Sequence, residues 1–128
     1  MVTVLIVDDE PNIVELVRMT LEDDRLRVIE AADGQQALAL AHAARPDLIL
    51  LDVNLPDISG LEICQRLRGD RQFTESKIVI LTAAAQESDV ALGLAAGADH
   101  YLTKPFSPVH LLSIVEGLLP QASVWQPE

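Results

Sequence analysis

Four short apolar runs, each followed closely by a polar residue, constrain the fold of this chain more than any other feature. The runs occupy residues 4–7, 48–51, 78–81 and, in a shorter version, 101–102, and segments of helical periodicity separate them. Apolar runs of this length between helices are typical of parallel strands that are buried on both faces. The pattern therefore predicts an α/β protein built on a parallel sheet.

The polar residues that follow these runs predict one functional site. Asp8 and Asp9 follow the first run, Asp52 and Thr82 follow the next two, and Lys104 comes shortly after the last. Ligands of open α/β sheets bind beyond the carboxyl ends of the strands, and parallel strands bring those ends to one edge. We therefore expect three carboxylates, a hydroxyl and an ammonium group to lie close together.

The residue types in this group indicate phosphoryl transfer. Carboxylates a few ångströms apart repel each other by roughly 4 kcal/mol per pair at an effective dielectric constant near 20, so they shift their pKa values or hold a cation. Oxygen ligands with room for water favour Mg²⁺. Lys104 and Thr82 supply a charge and a neutral donor for a phosphoryl group, and a carboxylate can then become an aspartyl phosphate.

Composition restricts the classes of function that are open to the chain. Its 128 residues, 49% of them hydrophobic, suit a single domain with one core. The formal net charge of -11 argues against nucleic acid as a direct partner, because phosphate binding requires a basic surface. No apolar run approaches the roughly 18 residues of a membrane span. The single cysteine, Cys64, and a first strand that begins at once favour a cytoplasmic protein without a signal peptide.

Strand and helix signals alternate five times along the chain. Pro11 suits the first turn of a helix, Ser59 and Glu62 predict a capping box, and Ser107 precedes the last helix. A fourth helix is expected over about residues 86–96, ended by Gly97. Right-handed crossovers then require a five-stranded, doubly wound parallel sheet with helices on both faces. Residues 120–128 are expected to form a C-terminal tail or the start of a linker.

Four stretches of the sequence, taken together and in this order, are specific to one family. They are residues 4–10 (VLIVDDE), 51–60 (LDVNLPDISG), 81–83 (LTA) and 97–106 (GADHYLTKPF). With them, residues 1–119 resemble the receiver domain of two-component response regulators. The resemblance implies a flavodoxin-like fold with strand order 2-1-3-4-5 and a phosphorylation-dependent signalling switch. Such a domain is not a metabolic enzyme, since it catalyses only its own phosphorylation and its slow autodephosphorylation.

The resemblance also implies a role for each acidic residue of the group. Asp52 would accept the phosphoryl group from a histidine kinase or a histidine phosphotransfer protein. Asp9 would bind Mg²⁺ directly, Asp8 would act through water, and Asp52 and the backbone carbonyl of Asn54 would complete the protein ligands.

The remaining family positions concern the phosphoryl contact and the switch. Lys104 would contact the phosphoryl oxygens, and the bond between Lys104 and Pro105 is commonly cis in this family. Thr82 would swing toward the phosphoryl group, and Tyr101 would then turn inward. A local change of charge would thereby bias a two-state element.

Two helices are expected to contact partners. Residues 90–98 contain no charged or polar side chain, and Val90, Leu92 and Leu94 point in directions that one sheet cannot cover together. This apolar surface would bind a neighbouring domain, a second copy of the chain or a separate effector. In the first helix we expect at least one of Ile13 and Val14 to be exposed and to contact the kinase. The last helix has no Lys or Arg, which disfavours the salt-bridged dimer of winged-helix relatives.

Two other functions remain open on the residues alone. A Mg²⁺-dependent phosphatase of the haloacid-dehalogenase type would also form an aspartyl phosphate, but it tends to have an acid two residues after the nucleophile, where this chain has Asn54. An interaction module without phosphorylation would be expected to lack one of the four residues Asp8, Asp9, Asp52 and Lys104, and all four are present.

Overall fold

The structure of the protein is a computed structural model that describes residues 1–83 and 87–119, without the side chains of residues 87–90. Strands and helices alternate through the described part of the chain, and a short 3-10 turn at Arg71–Phe73 follows the third helix. The elements are β1 (Val2–Val7), α1 (Pro11–Leu21), β2 (Leu26–Ala31), α2 (Gly34–Ala44), β3 (Leu48–Asp52), α3 (Gly60–Arg68), β4 (Lys77–Thr82), α4 (Glu87–Ala95), β5 (His100–Thr103) and α5 (Pro108–Leu118).

The five strands form one parallel sheet in the order β2-β1-β3-β4-β5, as predicted. In the register, Val7 of β1 lies opposite Leu51 of β3, and Asp52 lies opposite Leu81 of β4. The carboxyl ends of these central strands are therefore nearly level. Side chains that follow them must emerge at the same edge of the sheet.

The sheet is covered on both faces, which explains the unbroken apolar runs of the sequence. Every residue of β1 and β3 is buried. Val4 and Ile6 pack with α1 and α5 on one face, whereas Leu5 and Val7 pack with α2 and α3 on the other. Because each fully buried aliphatic side chain contributes about 1.5–3 kcal/mol, these inner strands hold the sheet edge in place.

The capping box predicted for α3 is only half right. The Ser59 hydroxyl accepts a hydrogen bond from the Leu61 amide at 3.2 Å. The Glu62 carboxylate does not reach back to Ser59, because it pairs with Arg66 one turn later at 2.7 Å. The prediction was wrong for Glu62, since a helical pair with a cation was available to it.

Gly97 ends α4 as predicted, and Arg68 fastens this end to the rest of the domain. The φ angle of Gly97 is +105°, and a Cβ there would collide with the Arg68 side chain. The Arg68 guanidinium donates to the Gly97 carbonyl at 2.7 Å and to the Phe73 and Ser76 carbonyls at 2.9 and 2.8 Å, and it pairs with Asp99. The end of α3, the start of β4 and the start of β5 are thus joined by one side chain.

The two helices that were expected to contact partners behave differently. In α1, Ile13 and Val14 are both half-buried against the core, so the prediction that at least one is exposed was wrong. Both side chains pack against the core cluster that α1 shares with α5 and the sheet. In α4, Leu92 and Leu94 are 57% and 48% exposed, which agrees with the expectation that one sheet cannot cover all three apolar residues, while the side chain of Val90 lies outside the described residues.

Two further observations concern the backbone and the helices. The peptide bond between Lys104 and Pro105 is cis, as the resemblance implied. Within residues 1–83 and 87–119, none of the helices has the length and apolar character needed to cross a bilayer.

Candidate functional site

The carboxyl ends of β1, β3 and β5 bring Asp8, Asp52 and Lys104 into contact. Asp8 follows β1, Asp52 is the last residue of β3, and Lys104 follows β5. The Lys104 Nζ atom lies 2.7 Å from Asp8 Oδ2 and 3.3 Å from Asp52 Oδ2, and both carboxylates are buried. The sequence placed these groups at one edge of a sheet, and the structure places them within ion-pair distance.

The acidic cluster fits a hard cation. One oxygen each of Asp8, Asp9 and Asp52 lies within 4.8 Å of the others. Asp8 Oδ2 is buried and, within the described part of the chain, accepts no hydrogen bond of good geometry, although Lys104 Nζ is its close ionic neighbour. Oxygen donors that converge in this way, with one atom not hydrogen-bonded, suit Mg²⁺ with water in its remaining positions. Asn54 lies beside the cluster, and its backbone N–H donates to Asp52 Oδ1 at 3.2 Å.

The environment of Asp52 opposes its ionisation. Burial raises the pKa of the Asp52 carboxyl, and the charge of Asp8 raises it further, while the Asn54 amide and Lys104 act in the opposite direction. For Lys104, burial lowers the pKa, but the neighbouring Asp8, Asp52 and Glu10 raise it by more. A cation bound to the cluster would therefore favour the carboxylate form of Asp52, which is the nucleophilic form.

An open cavity of about 250 Å³ gives access to this cluster. Its lining residues are polar except for one alanine: Asp9, Glu10, Asp52, Asn54, Ala83 and Lys104. A phosphoryl group with several waters fits this volume. The cavity thus leads from solvent to one buried carboxylate that lies next to a lysine.

The loop between β3 and α3 is held from both sides. Gly60 is required because a Cβ there would overlap the Asp52 carbonyl oxygen. Asp57 Oδ1 accepts from the Gly34 amide at 2.7 Å, and its Oδ2 accepts from the Gln35 amide at 3.0 Å. These hydrogen bonds to the amino end of α2 lower the pKa of the Asp57 carboxyl. The loop that contains Asn54 is thereby tied to a neighbouring helix.

Comparison with known proteins identifies the family. The sequence profile of the response regulator receiver domain matches residues 4–116. The chain belongs to the response-regulator receiver family. It is 44% identical over 124 residues to the alkaline phosphatase synthesis transcriptional regulatory protein PhoP of Bacillus subtilis, with 97% of this chain and 51% of the relative covered. It is also 44% identical over 117 residues to the phosphate regulon transcriptional regulatory protein PhoB of Pseudomonas aeruginosa, with 91% and 51% covered.

Solved receiver structures share the fold. The chemotaxis response regulator CheY4 of Vibrio cholerae matches with a TM-score of 0.87 and 39% identity, over 93% of this chain and 99% of that one. The BeF3-activated receiver domain of DrrB matches with a TM-score of 0.85 and 36% identity, over 94% and 98%. The chain spans about half the length of the curated relatives described above.

In this receiver domain, Thr82 and Tyr101 lie beside the acidic cluster rather than in it. Both line a separate cavity of about 40 Å³ beneath α4, which has room for a few water molecules at most. Gly93 of α4 faces this space, and a Cβ there would lie 3.4 Å from Ile80 Cγ1. Thr82 is buried, and Tyr101 is half-buried. The two residues named as a switch are therefore neighbours across one small cavity.

Sequence reasoning missed two residues of the site, Glu10 and Asp57. Glu10 lines the cavity, and its Oε1 lies 3.4 Å from Lys104 Nζ. Asp57 holds the loop after Asp52. A signal existed for each, since an acid follows the Asp8-Asp9 pair directly and another acid lies in the loop that precedes α3. Neither signal revealed the partner, which lies far away along the chain in both cases.

Proposed function

We propose that Asp52 accepts a phosphoryl group in a Mg²⁺-dependent reaction and that this makes the chain a signalling switch. The observation that carries the proposal is the position of Asp52. It is a buried carboxylate at the end of the central strand of a receiver domain, 3.3 Å from Lys104 and within a cluster of acids that suits a divalent cation. An open cavity leads to it from solvent.

The residues of the site suit a balanced transfer from a phosphohistidine. An Asp52 oxygen forms the new bond to phosphorus while the nitrogen–phosphorus bond of the donor breaks. The electron pair goes to the imidazole nitrogen, so that a phosphohistidine protonated on its other ring nitrogen leaves as neutral histidine. Asp8, Asp9, Asp52 and the Asn54 carbonyl would hold Mg²⁺, and the ion would supply positive charge to balance the phosphoryl oxygens. Lys104 would leave Asp8 for the phosphoryl group, where it supplies the second positive charge.

We propose that the donor is a histidine kinase or a histidine phosphotransfer protein, as membership of the family implies. The domain itself would comprise residues 1–119, with residues 120–128 as a tail or linker. Beyond its own phosphorylation and a slow autodephosphorylation it would catalyse nothing. A cytoplasmic location stays a prediction.

We propose that the output surface consists of α4, β5 and α5. Thr82 and Tyr101 share a cavity directly beneath α4, so a movement of Thr82 toward a phosphoryl group would alter the packing of Tyr101 and of this helix. Leu92 and Leu94 are exposed on α4 in an otherwise strongly acidic chain. An apolar patch of this kind usually marks a contact with a partner. The partner would be an attached domain, a separate effector or a second copy of the chain.

Intact mass measurement after incubation with acetyl phosphate and Mg²⁺ tests the proposal. The wild-type protein should gain one phosphate, and Asp52→Asn should gain none. Removal of Mg²⁺ with a chelator should prevent the gain. A phosphate retained by Asp52→Asn would refute the assignment of the acceptor, and turnover of a phosphate ester would favour the phosphatase instead.

A further inference from the structure

Glu10 occupies an unusual position for the residue that precedes a helix. It is the N-cap of α1, directly before Pro11, but in the described structure its side chain makes no capping hydrogen bond. Its carboxylate instead extends over the cavity, with Oε1 3.4 Å from Lys104 Nζ. The side chain is 59% exposed, so this carboxylate lies at the mouth of the cavity, where it meets solvent.

Glu10 therefore adds to a strongly negative entrance. Lys104 is the cation that lines this cavity, and it is shared by Asp8, Asp52 and Glu10. A phosphodonor that enters is an anion. It meets the charge of Glu10 first, and it must then compete with Glu10 for Lys104. Both effects slow the entry of a donor that has no other contact with the protein.

We propose that Glu10 is a specificity-determining residue that disfavours small anionic phosphodonors and so reserves Asp52 for a phosphohistidine that a partner protein presents. This inference rests on the proposed function of Asp52. A docked protein gains binding energy from contacts outside the cavity, and this energy offsets the repulsion at its entrance. A small donor has no such contacts. Glu10 takes part in no bond that forms or breaks.

The reaction with a small donor is simple enough to isolate this effect. With acetyl phosphate, an Asp52 oxygen forms the bond to phosphorus, the phosphorus–oxygen bond to the acetyl group breaks, and acetate leaves with the electron pair. At neutral pH acetyl phosphate is a dianion, and phosphoramidate carries one negative charge fewer. A charge at the entrance should therefore slow acetyl phosphate more than phosphoramidate, whereas a purely structural role of Glu10 would affect both donors alike.

The test compares Glu10→Gln with a matched control, Glu62→Gln. Glu62 is exposed to a similar extent, and its removal changes the net charge of the chain equally, but it lies on α3 and pairs with Arg66. The rate constant for phosphorylation of Asp52 should be measured with both donors at saturating Mg²⁺ for each variant. For Glu10→Gln we expect a roughly threefold increase with acetyl phosphate and a smaller one with phosphoramidate, and both should shrink as salt is added. Glu62→Gln should behave as the wild type.

A rescue variant and the wild type complete the design. Glu10→Asp restores a carboxylate near the entrance and should restore most of the discrimination between the two donors. Equal effects of Glu10→Gln on both donors, an effect that salt does not alter, or an equal effect of Glu62→Gln would overturn the proposal. A wild-type protein that gains no phosphate from either donor would instead overturn the function proposed for Asp52, so the two failures are distinguishable.

Discussion

Removal of the Arg68 side chain should cost far more stability than removal of Arg66 two residues earlier. Arg68 and its partner Asp99 have side chains only 21% and 29% exposed, and the same guanidinium donates to three backbone carbonyls. Arg66 makes one exposed pair with Glu62. The two substitutions Arg68→Ala and Arg66→Ala therefore delete the same atoms from one helix in two different environments.

The magnitude follows from what each variant leaves unpaired. Hydrogen bonds from a charged group contribute about 1.5 kcal/mol each or more. The ion pair with Asp99, which solvent partly screens, adds a fraction of 1 kcal/mol. Water enters the space after truncation and replaces part of these contacts, so we expect Arg68→Ala to lower the free energy of unfolding by about 3 kcal/mol. Arg66→Ala should lower it by less than about 1 kcal/mol. Arg68→Lys should recover little, because an ammonium group lacks the planar fork that reaches several acceptors.

Urea denaturation followed by far-ultraviolet circular dichroism provides the measurement. In thermal unfolding, the same loss of about 3 kcal/mol corresponds to a fall in Tm of about 10 °C for a domain of this size. A change in the urea midpoint without a change in the m-value would show that the substitution alters stability alone. Equal losses for Arg68→Ala and Arg66→Ala would refute the reasoning, since partial burial and three carbonyl partners would then carry no weight.

Three further predictions concern Cys64 in the core and Leu92 on the surface of α4. Burial raises the pKa of the Cys64 thiol to about 11, so native protein should resist alkylation at pH 8 until it is unfolded, and rapid labelling of the folded protein would contradict this. This folded pKa lies above the unfolded value near 9, so the contribution of Cys64 to stability is complete below about pH 9 and is lost as the pH rises toward 11. In denaturation curves measured across this pH range, Cys64→Ala should remove this part of the pH dependence. Leu92→Asp should weaken phosphorylation-dependent association with a partner in high salt as well as in low salt, with Met19→Asp as the control on another exposed apolar residue, and association that occurs only at low salt would show that the contact is ionic.

The doubly wound parallel sheet and the convergence of Asp8, Asp52 and Lys104 could be predicted from the sequence pattern, whereas the strand order came from the family resemblance. Strands buried on both faces must be apolar throughout, so their ends are marked by the first polar residue. Parallel pairing with right-handed crossovers then leaves few arrangements, and all of them bring the carboxyl ends to one edge. Helical periodicity also predicted that one sheet cannot cover Val90, Leu92 and Leu94 together, but it did not say which of them would be exposed.

The roles of Glu10 and Asp57 could not be predicted, because their partners are set by how loops and helices meet. The Lys104 atom that Glu10 contacts is 94 residues away, and the Gly34 amide that Asp57 accepts from is 23 residues away. Local patterns carry no information about such distances. The half-burial of Ile13 and Val14 has the same origin, since it depends on how α1 packs against the core as well as on the periodicity of α1 itself.

The sequence by itself determined which residues could enter the core and which polar groups lay at the strand ends, because the periodicity of apolar residues is a local pattern along the chain. Only the tertiary structure decided which of those polar groups form ion pairs, could hold one cation or line one cavity. Charge interactions change steeply over a few ångströms, and such distances arise only when separate crossovers have packed against one sheet. Lys104 becomes part of the site because β5 ends beside β4, and Glu10 joins it because α1 begins at the same edge.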